Sequence, residues 1–181
     1  MTKFLLVFSL AALPMVAQTG SSTPSAPANP MSGGTKFMYG QTKNDVLKAA
    51  EEMSEENYSF KPIDTVRSFG QLVAHVADAQ YEFCSAVLGD GKQPPGIEKS
   101  KTSKADIIAA LKDAFAYCDQ AYNGLTDAQA STVVKFFGHN AAKITILDYN
   151  SAHNMEHYGN MVTYLRMKGM VPPSSQQQSM Q

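Results

Sequence analysis

The sequence predicts an all-α protein built as a four-helix bundle. Four segments carry apolar residues at the three- and four-residue spacing of an amphipathic helix, and no segment shows a convincing strand-like alternation. A chain of 181 residues suits one domain, and 44% hydrophobic with 17% charged residues is typical of a folded globular protein. Together these observations favour a single helical bundle.

Turn and capping signals bound the four predicted helices. They cover roughly residues 36–53, 68–88, 103–124 and 142–168. Ser68 and Gln71 form a capping box at the start of the second helix, and Ser103 and Asp106 have the same spacing at the start of the third. The connections are 54–67, 89–102, which is rich in Gly and Pro, and 125–141, which holds a short turn and the ambiguous apolar run VVKFF.

Residues 1–17 have the features of a signal peptide. Lys3 supplies a positive charge, and an apolar run from Phe4 to Ala17 follows that is too short for a comfortable bilayer span. Ala17 is a small residue suited to cleavage, but Met15 fits the cleavage rule poorly, so an uncleaved N-terminal anchor stays open. We expect an exported protein, periplasmic or extracellular, with no stable membrane insertion after cleavage.

The rest of the chain divides into a linker, a folded domain and a tail, and the net charge limits the classes of partner. Segment 18–34 consists mainly of Ser, Pro, Gly and Ala and predicts a flexible linker, segment 35–175 forms the folded domain, and segment 176–181 is expected to be a disordered tail. The net charge is −1 with both signs dispersed. Because no basic stripe is present, we expect no nucleic-acid partner.

Two histidines in the fourth predicted helix raise the hypothesis of a metal site. His153 and His157 are four residues apart and therefore share one helix face, although such pairs also arise by chance on solvent-facing helices. The zinc motif H-E-x-x-H fails because Asn154 replaces the glutamate. The inverted motif H-x-x-E-H matches but needs a downstream carboxylate ligand, and no Asp, Glu or His follows His157.

A third ligand would have to come from the two other histidines. His139 lies in FFGHN, which we expect on a loop, whereas His75 lies in the second helix on an apolar stripe with Leu72 and Ala79. A buried histidine needs a partner, which could be a backbone carbonyl or a metal held between two helices. Three imidazoles from facing helices would bind Zn²⁺ or Ni²⁺ and leave a position open for water.

Three segments closely resemble the DinB-like superfamily, also called the DinB/YfiT-like metalloenzymes: NYSFKP, VRSFGQLVAHVADAQYEFC and HNMEHYGNMVTYLRMKGMVPPSS. The similarity spans roughly residues 36–175. It implies a four-helix bundle whose second and third helices are parallel and joined by a long crossover, for which connection 89–102 is long enough. It also implies that His75, His153 and His157 form a metal triad.

The resemblance implies a choice of activities. Thiol transfer and isomerisation occur in the superfamily, and an open divalent metal lowers the pKa of bound water or thiol. Because thiol cofactors are cytosolic and we expect export, we favour a metal-dependent hydrolase or transferase of unknown small-molecule substrate, with a non-catalytic metal- or small-ligand-binding module as the alternative. A homodimer fits the family. No catalytic residue is identified; Glu156, Asp78 and Glu82 are weak candidates for a general base.

Cys84 and Cys118 give two opposing arguments. In parallel helices both lie about 23 Å from the helix start, at one height. Cys84 is nine residues after His75, however, and so lies about 180° around the helix from the metal face. We therefore expect Cys84 to point outward and both thiols to be free, with a disulfide as the alternative in an oxidising compartment.

Overall fold

Four long helices form the body of the protein in a computed structural model that describes residues 28–178. They are α1 (Pro30–Glu52), α2 (Phe69–Leu88), α4 (Lys104–Gly124) and α6 (Lys143–Met167). Three short helices connect or follow them: α3 (Ile97–Ser100), α5 (Asp127–Ala130) and α7 (Pro173–Gln178). A 3-10 turn (Glu55–Asn57) and the antiparallel hairpin of β1 (Val133–Phe136) and β2 (His139–Ala142) complete the described chain.

Helices α2 and α4 run parallel. Gly70 approaches Ile107 near the start of both helices, and Cys84 is bonded to Cys118 near their ends. A parallel pair needs a long return connection, and the segment that includes α3 supplies it. The predicted four-helix bundle with this crossover is therefore confirmed.

Helix α6 runs antiparallel to α2. At one end the hydroxyl of Tyr164 donates to the backbone carbonyl of Arg67, just ahead of α2, at 2.7 Å. At the other end the amide of Asn150 donates to Gln80 at 3.0 Å. Residues late in α6 therefore face the start of α2, which is the arrangement that lets histidines from both helices meet.

The predicted capping signals act at the helix starts. The Ser68 side chain accepts from the Gln71 N–H while Gln71 reaches back to the Ser68 N–H, and the Ser103 side chain accepts from the Asp106 N–H. Helix α2 ends at Gly89, which adopts the left-handed conformation with φ 76°. These bonds satisfy backbone groups that have no partner within the helix, so local sequence determines both helix starts.

Helix α1 begins earlier than predicted. It starts at Pro30, so the prediction of a flexible linker over 18–34 is wrong for residues 30–34. Asp127 explains the difference, because its carboxylate accepts from the N–H groups of Met31 at 3.1 Å and Ser32 at 2.8 Å. A side chain 95 residues away in sequence thus caps a helix that contains three glycines. The predicted signal peptide, 1–17, lies outside the described residues.

The C-terminal boundary differs as well. The prediction of a disordered tail over 176–181 is wrong for 176–178, which belong to α7. Gln176 donates to Glu52 at 3.0 Å, which ties α7 to α1, and to the carbonyl of Val171, just before α7, at 2.9 Å. Residues 179–181 lie outside the described residues. The folded domain therefore extends beyond 35–175 on both sides.

The ambiguous run VVKFF forms a strand of the short hairpin. Phe137 and Gly138 make the two-residue turn with φ of 47° and 79°, a backbone conformation that suits glycine at the second position. Phe136 packs against Phe83 of α2 and Tyr149 of α6. The hairpin thus covers one end of the α2–α6 interface, and this contact is not visible in the local sequence.

Cys84 and Cys118 form a disulfide, so the prediction of two free thiols is wrong. Their Cα atoms are 5.3 Å apart and both residues are fully buried. Helix α2 packs against α6 on the side that carries His75 and against α4 on the opposite side. A residue 180° from His75 therefore faces α4 and not solvent.

Within residues 28–178, no helix combines the length and the apolar composition needed to cross a membrane.

The disulfide yields a stability prediction. Protein folded under oxidising conditions, then unfolded without reductant, should show no reactive thiol. A Cys84→Ser/Cys118→Ser variant should lose about 2–4 kcal/mol of unfolding free energy in urea titrations, because the 34-residue loop is no longer closed in the unfolded state. Two reactive thiols in the unreduced wild type would contradict the pairing.

Candidate metal site

Three histidines converge between α2 and α6. The Nε2 atom of His153 lies 3.3 Å from Nε2 of His75 and 3.0 Å from Nε2 of His157. One potential ligand atom from each of the three lies within 4.8 Å of the other two. In a tetrahedral site with zinc–nitrogen bonds of 2.0–2.1 Å, neighbouring ligand atoms are about 3.3–3.4 Å apart. The cluster could therefore hold a divalent metal ion.

The alignment of α2 and α6 along each other brings the three histidines together. His153 and His157 project from successive turns of α6, and His75 lies on the second turn of α2. The Tyr164–Arg67 bond holds the helices together on one side of the cluster. On the other side, Gln80 donates to Asn154 at 2.8 Å. Polar contacts on both sides of the triad thus fix the relative position of α2 and α6.

A buried amide network lies beside the cluster. Gln80, Asn150 and Asn154 are all fully buried, and Asn150 also donates to the hydroxyl of Tyr122 at 3.2 Å. Asn150 thus lies in the core, whereas Asn160 of the same helix is exposed.

Burial keeps two of the histidines neutral. Desolvation, followed by the neighbouring His157, His75 and Arg67, lowers the pKa of His153 to about 3. Desolvation, followed by His75, also lowers the pKa of His157 to about 4, although Glu156 and Glu98 oppose this shift. A metal ion binds the neutral imidazole, so the fold holds both side chains in the ligating form at neutral pH.

The outward nitrogens of the three rings differ in their partners. Nδ1 of His75 lies 3.2 Å from Oε2 of Glu98, which belongs to α3, and Glu98 also accepts from Nε of Arg67 at 2.8 Å. Within residues 28–178, the buried Nδ1 atoms of His153 and His157 have no hydrogen-bond partner. His75 is therefore the one histidine of the cluster whose ring is fixed by a carboxylate in the described structure.

A cavity of about 830 Å³ borders the cluster. His157, Glu156 and Tyr164 of α6 form part of its wall, and the segment 61–67, which ends at Arg67, forms another part. Glu98 also reaches this wall. The volume falls within the range of small-molecule sites in proteins, so a small ligand could reach the edge of the triad.

The other candidate residues lie in different places. His139 is exposed at the start of β2 and is not part of the histidine cluster. Glu82 is exposed, and Glu156 is exposed on the cavity wall. Asp78 accepts from the N–H groups of Ile97 and Glu98 at 2.8 and 2.9 Å, so it caps α3.

Glu98 is a residue of this site that the sequence did not predict. It lies in connection 89–102, whose Gly and Pro content indicated only a crossover. The segment PPGIEKS could have suggested a helix start after Gly96, which has φ 75° in the structure. No local pattern, however, indicates that Glu98 lies next to His75, 23 residues earlier.

Known proteins resemble this chain over most of its length. Residues 38–161 match the model of the DinB superfamily. The uncharacterized protein YjoA of Bacillus subtilis is 26% identical over 130 residues, which cover 70% of this chain and 84% of that protein.

Solved structures show the same fold. A DinB-like protein from Bacillus cereus superposes with a TM-score of 0.69 at 18% identity, covering 78% of this chain and 95% of that one. YfiT from Bacillus subtilis, described as a probable metal-dependent hydrolase with an unusual four-helix bundle topology, gives 0.60 at 13% identity, covering 84% and 96%.

The lowered histidine pKa values predict how acid affects the metal-free protein. Above pH 6.5 both folded and unfolded chains hold these histidines neutral, whereas between pH 6.5 and about 4 only the unfolded chain protonates them. The unfolding free energy should therefore decrease as the pH is lowered through this window. At pH 4.5 it should be roughly 2–4 kcal/mol below its value at neutral pH.

A His153→Ala/His157→Ala variant is the control for this titration. It should lose markedly less unfolding free energy than the wild type over the same window, as measured by urea denaturation at each pH with chelator present. Parallel pH profiles for the two proteins would contradict the assigned pKa shifts.

Proposed function

This chain belongs to the DinB superfamily, and on that premise we propose that it binds a divalent metal ion through His75, His153 and His157. Among the metals that imidazole ligands accept, we propose Zn²⁺ or Ni²⁺. We propose further that the site carries out hydrolysis or group transfer on a small-molecule substrate.

The convergence of the three Nε2 atoms carries this proposal. Within residues 28–178, the cluster of potential ligands contains three histidines and no carboxylate or thiol. Structural zinc sites usually have four protein ligands, whereas catalytic sites have three and leave a position for water or substrate. The cavity beside His157 supplies room for such a substrate.

The residues around this site would have different roles in the reaction. A bound divalent metal would supply an activated water or thiol near neutral pH. The buried, neutral His153 and His157 provide ligands without first losing protons. The carboxylate of Glu98 is bonded to His75 and Arg67, which leaves Glu156 as the wall carboxylate beside His157 for proton transfer.

We also propose that the protein is exported, and export would favour hydrolysis over thiol transfer. Lys3 and the apolar run that follows it have the pattern of a signal peptide, and a disulfide between Cys84 and Cys118 suits an oxidising compartment. Small-molecule thiol cofactors belong to the cytosol. The description of YfiT as a probable metal-dependent hydrolase adds support from a protein of the same fold.

Metal analysis of single variants tests the ligand set. The wild type should carry about one divalent ion per chain, and His75→Ala, His153→Ala and His157→Ala should each lose stable occupancy because two imidazoles hold the ion too weakly. His139→Ala is the matched control, since its exposed ring lies outside the cluster, and it should keep the full metal content. Equal metal content in His75→Ala and the wild type would contradict the assignment.

Turnover separates an enzyme from a binding module. A panel of small esters, amides and lactones should contain substrates that the metal-loaded wild type hydrolyses and that chelated protein or His157→Ala does not. Metal occupancy without turnover of any panel member would favour a non-catalytic metal-binding module.

A further inference from the structure

Glu98 has contacts that go beyond those of a surface glutamate. Its two carboxylate oxygens are divided between two partners: Oε1 accepts from Nε of Arg67 at 2.8 Å and Oε2 lies 3.2 Å from Nδ1 of His75. The side chains of Glu98 and His75 are each 25% exposed, so solvent screens the contact only in part. A carboxylate therefore lies against the ring nitrogen that points away from the other two histidines.

We infer that Glu98 is a positioning residue that holds His75 in the tautomer and orientation required of a metal ligand. This inference rests on the proposed metal site. A carboxylate can only accept a hydrogen bond, so whenever the His75 ring carries a single proton, that proton lies on Nδ1 and the lone pair lies on Nε2. The lone pair then points toward His153, whose Nε2 is 3.3 Å away.

Glu98 acts through His75 and not as a ligand itself. It contacts the outward nitrogen of the ring and is not part of the group of potential ligand atoms, which consists of the three histidines. Carboxylates in this position orient the ring and increase the basicity of the ligating nitrogen. The described structure supplies no such partner to Nδ1 of His153 or His157, so His75 is the ligand that is oriented before any metal binds.

The fold holds Glu98 in place from α2. Asp78, one turn after His75, accepts from the N–H groups of Ile97 and Glu98 at 2.8 and 2.9 Å. Gly96, with φ 75°, permits the turn that leads into α3 at this point. The helix that carries His75 therefore also fixes the backbone of Glu98, and the contact does not depend on a freely moving side chain alone.

Metal affinity gives the first test of this role. The Kd for Zn²⁺ should rise about 10- to 100-fold in Glu98→Ala. It should rise less in Glu98→Gln, because the amide oxygen can still accept from Nδ1–H. Asp64→Asn is the matched control, since it also removes one negative charge from the cavity wall and should change the Kd by less than about threefold. Equal weakening in Glu98→Ala and Glu98→Gln would mean that only the charge of Glu98 matters and would overturn the inference.

Asp78 extends the affinity test. Asp78→Ala should weaken Zn²⁺ binding in the same direction, and Asp78→Ala/Glu98→Ala should be no weaker than Glu98→Ala alone, because both residues act through one contact. Fully additive losses would contradict this coupling. Thermal unfolding of each variant, compared with the wild type, shows whether a loss of Zn²⁺ affinity comes from a less stable fold.

The tautomer of His75 in metal-free protein provides a readout that needs no metal. Nitrogen-15 NMR at pH 7.5 should show the Nδ1–H form in the wild type and a shift toward the Nε2–H form in Glu98→Ala. If the wild type binds no Zn²⁺, the proposed function fails, yet this spectrum still decides the role of Glu98. An Nε2–H tautomer in the wild type, or an unchanged Zn²⁺ affinity in Glu98→Ala, would overturn the inference.

Discussion

The register between α2 and α6 depends on a set of fully buried amide hydrogen bonds. Gln80 donates to Asn154 at 2.8 Å and accepts from Asn150 at 3.0 Å, all three residues being 0% exposed. A buried amide that loses its partner costs about 1–3 kcal/mol, so a slip of one helix along the other breaks several bonds at once. The same register brings His75 level with His153 and His157, and the candidate site follows from it.

Helix α2 serves two functions on opposite sides. One side carries His75 toward α6, and the other carries Cys84 toward α4, where the disulfide joins the parallel pair. Because α2 lies between the two helices, its buried surface is nearly continuous, as 13 of its 20 residues are buried. The disulfide therefore ties α2 to α4 and the amide network ties α2 to α6, so the backbone that carries His75 has little freedom to move.

The local and periodic features of this structure could be predicted from the sequence. The contacts between distant segments could not. Capping at Ser68 and the shared face of His153 and His157 depend on neighbours within one helical turn, so pattern and spacing predicted them. The capping of α1 by Asp127 and the contact of Glu98 with His75 depend on residues far apart in the chain. The disulfide was not predicted for a related reason. Helical geometry shows that Cys84 points away from His75, but it does not show that α4 lies on that side.

Anomalous diffraction at the zinc edge, from crystals of protein loaded with one equivalent of Zn²⁺, would show whether His75, His153 and His157 hold one metal ion. We expect a single strong peak about 2.0–2.1 Å from all three Nε2 atoms, with at least one further position taken by a non-protein ligand. A peak elsewhere, at His139 for example, with none between α2 and α6, would contradict this ligand set.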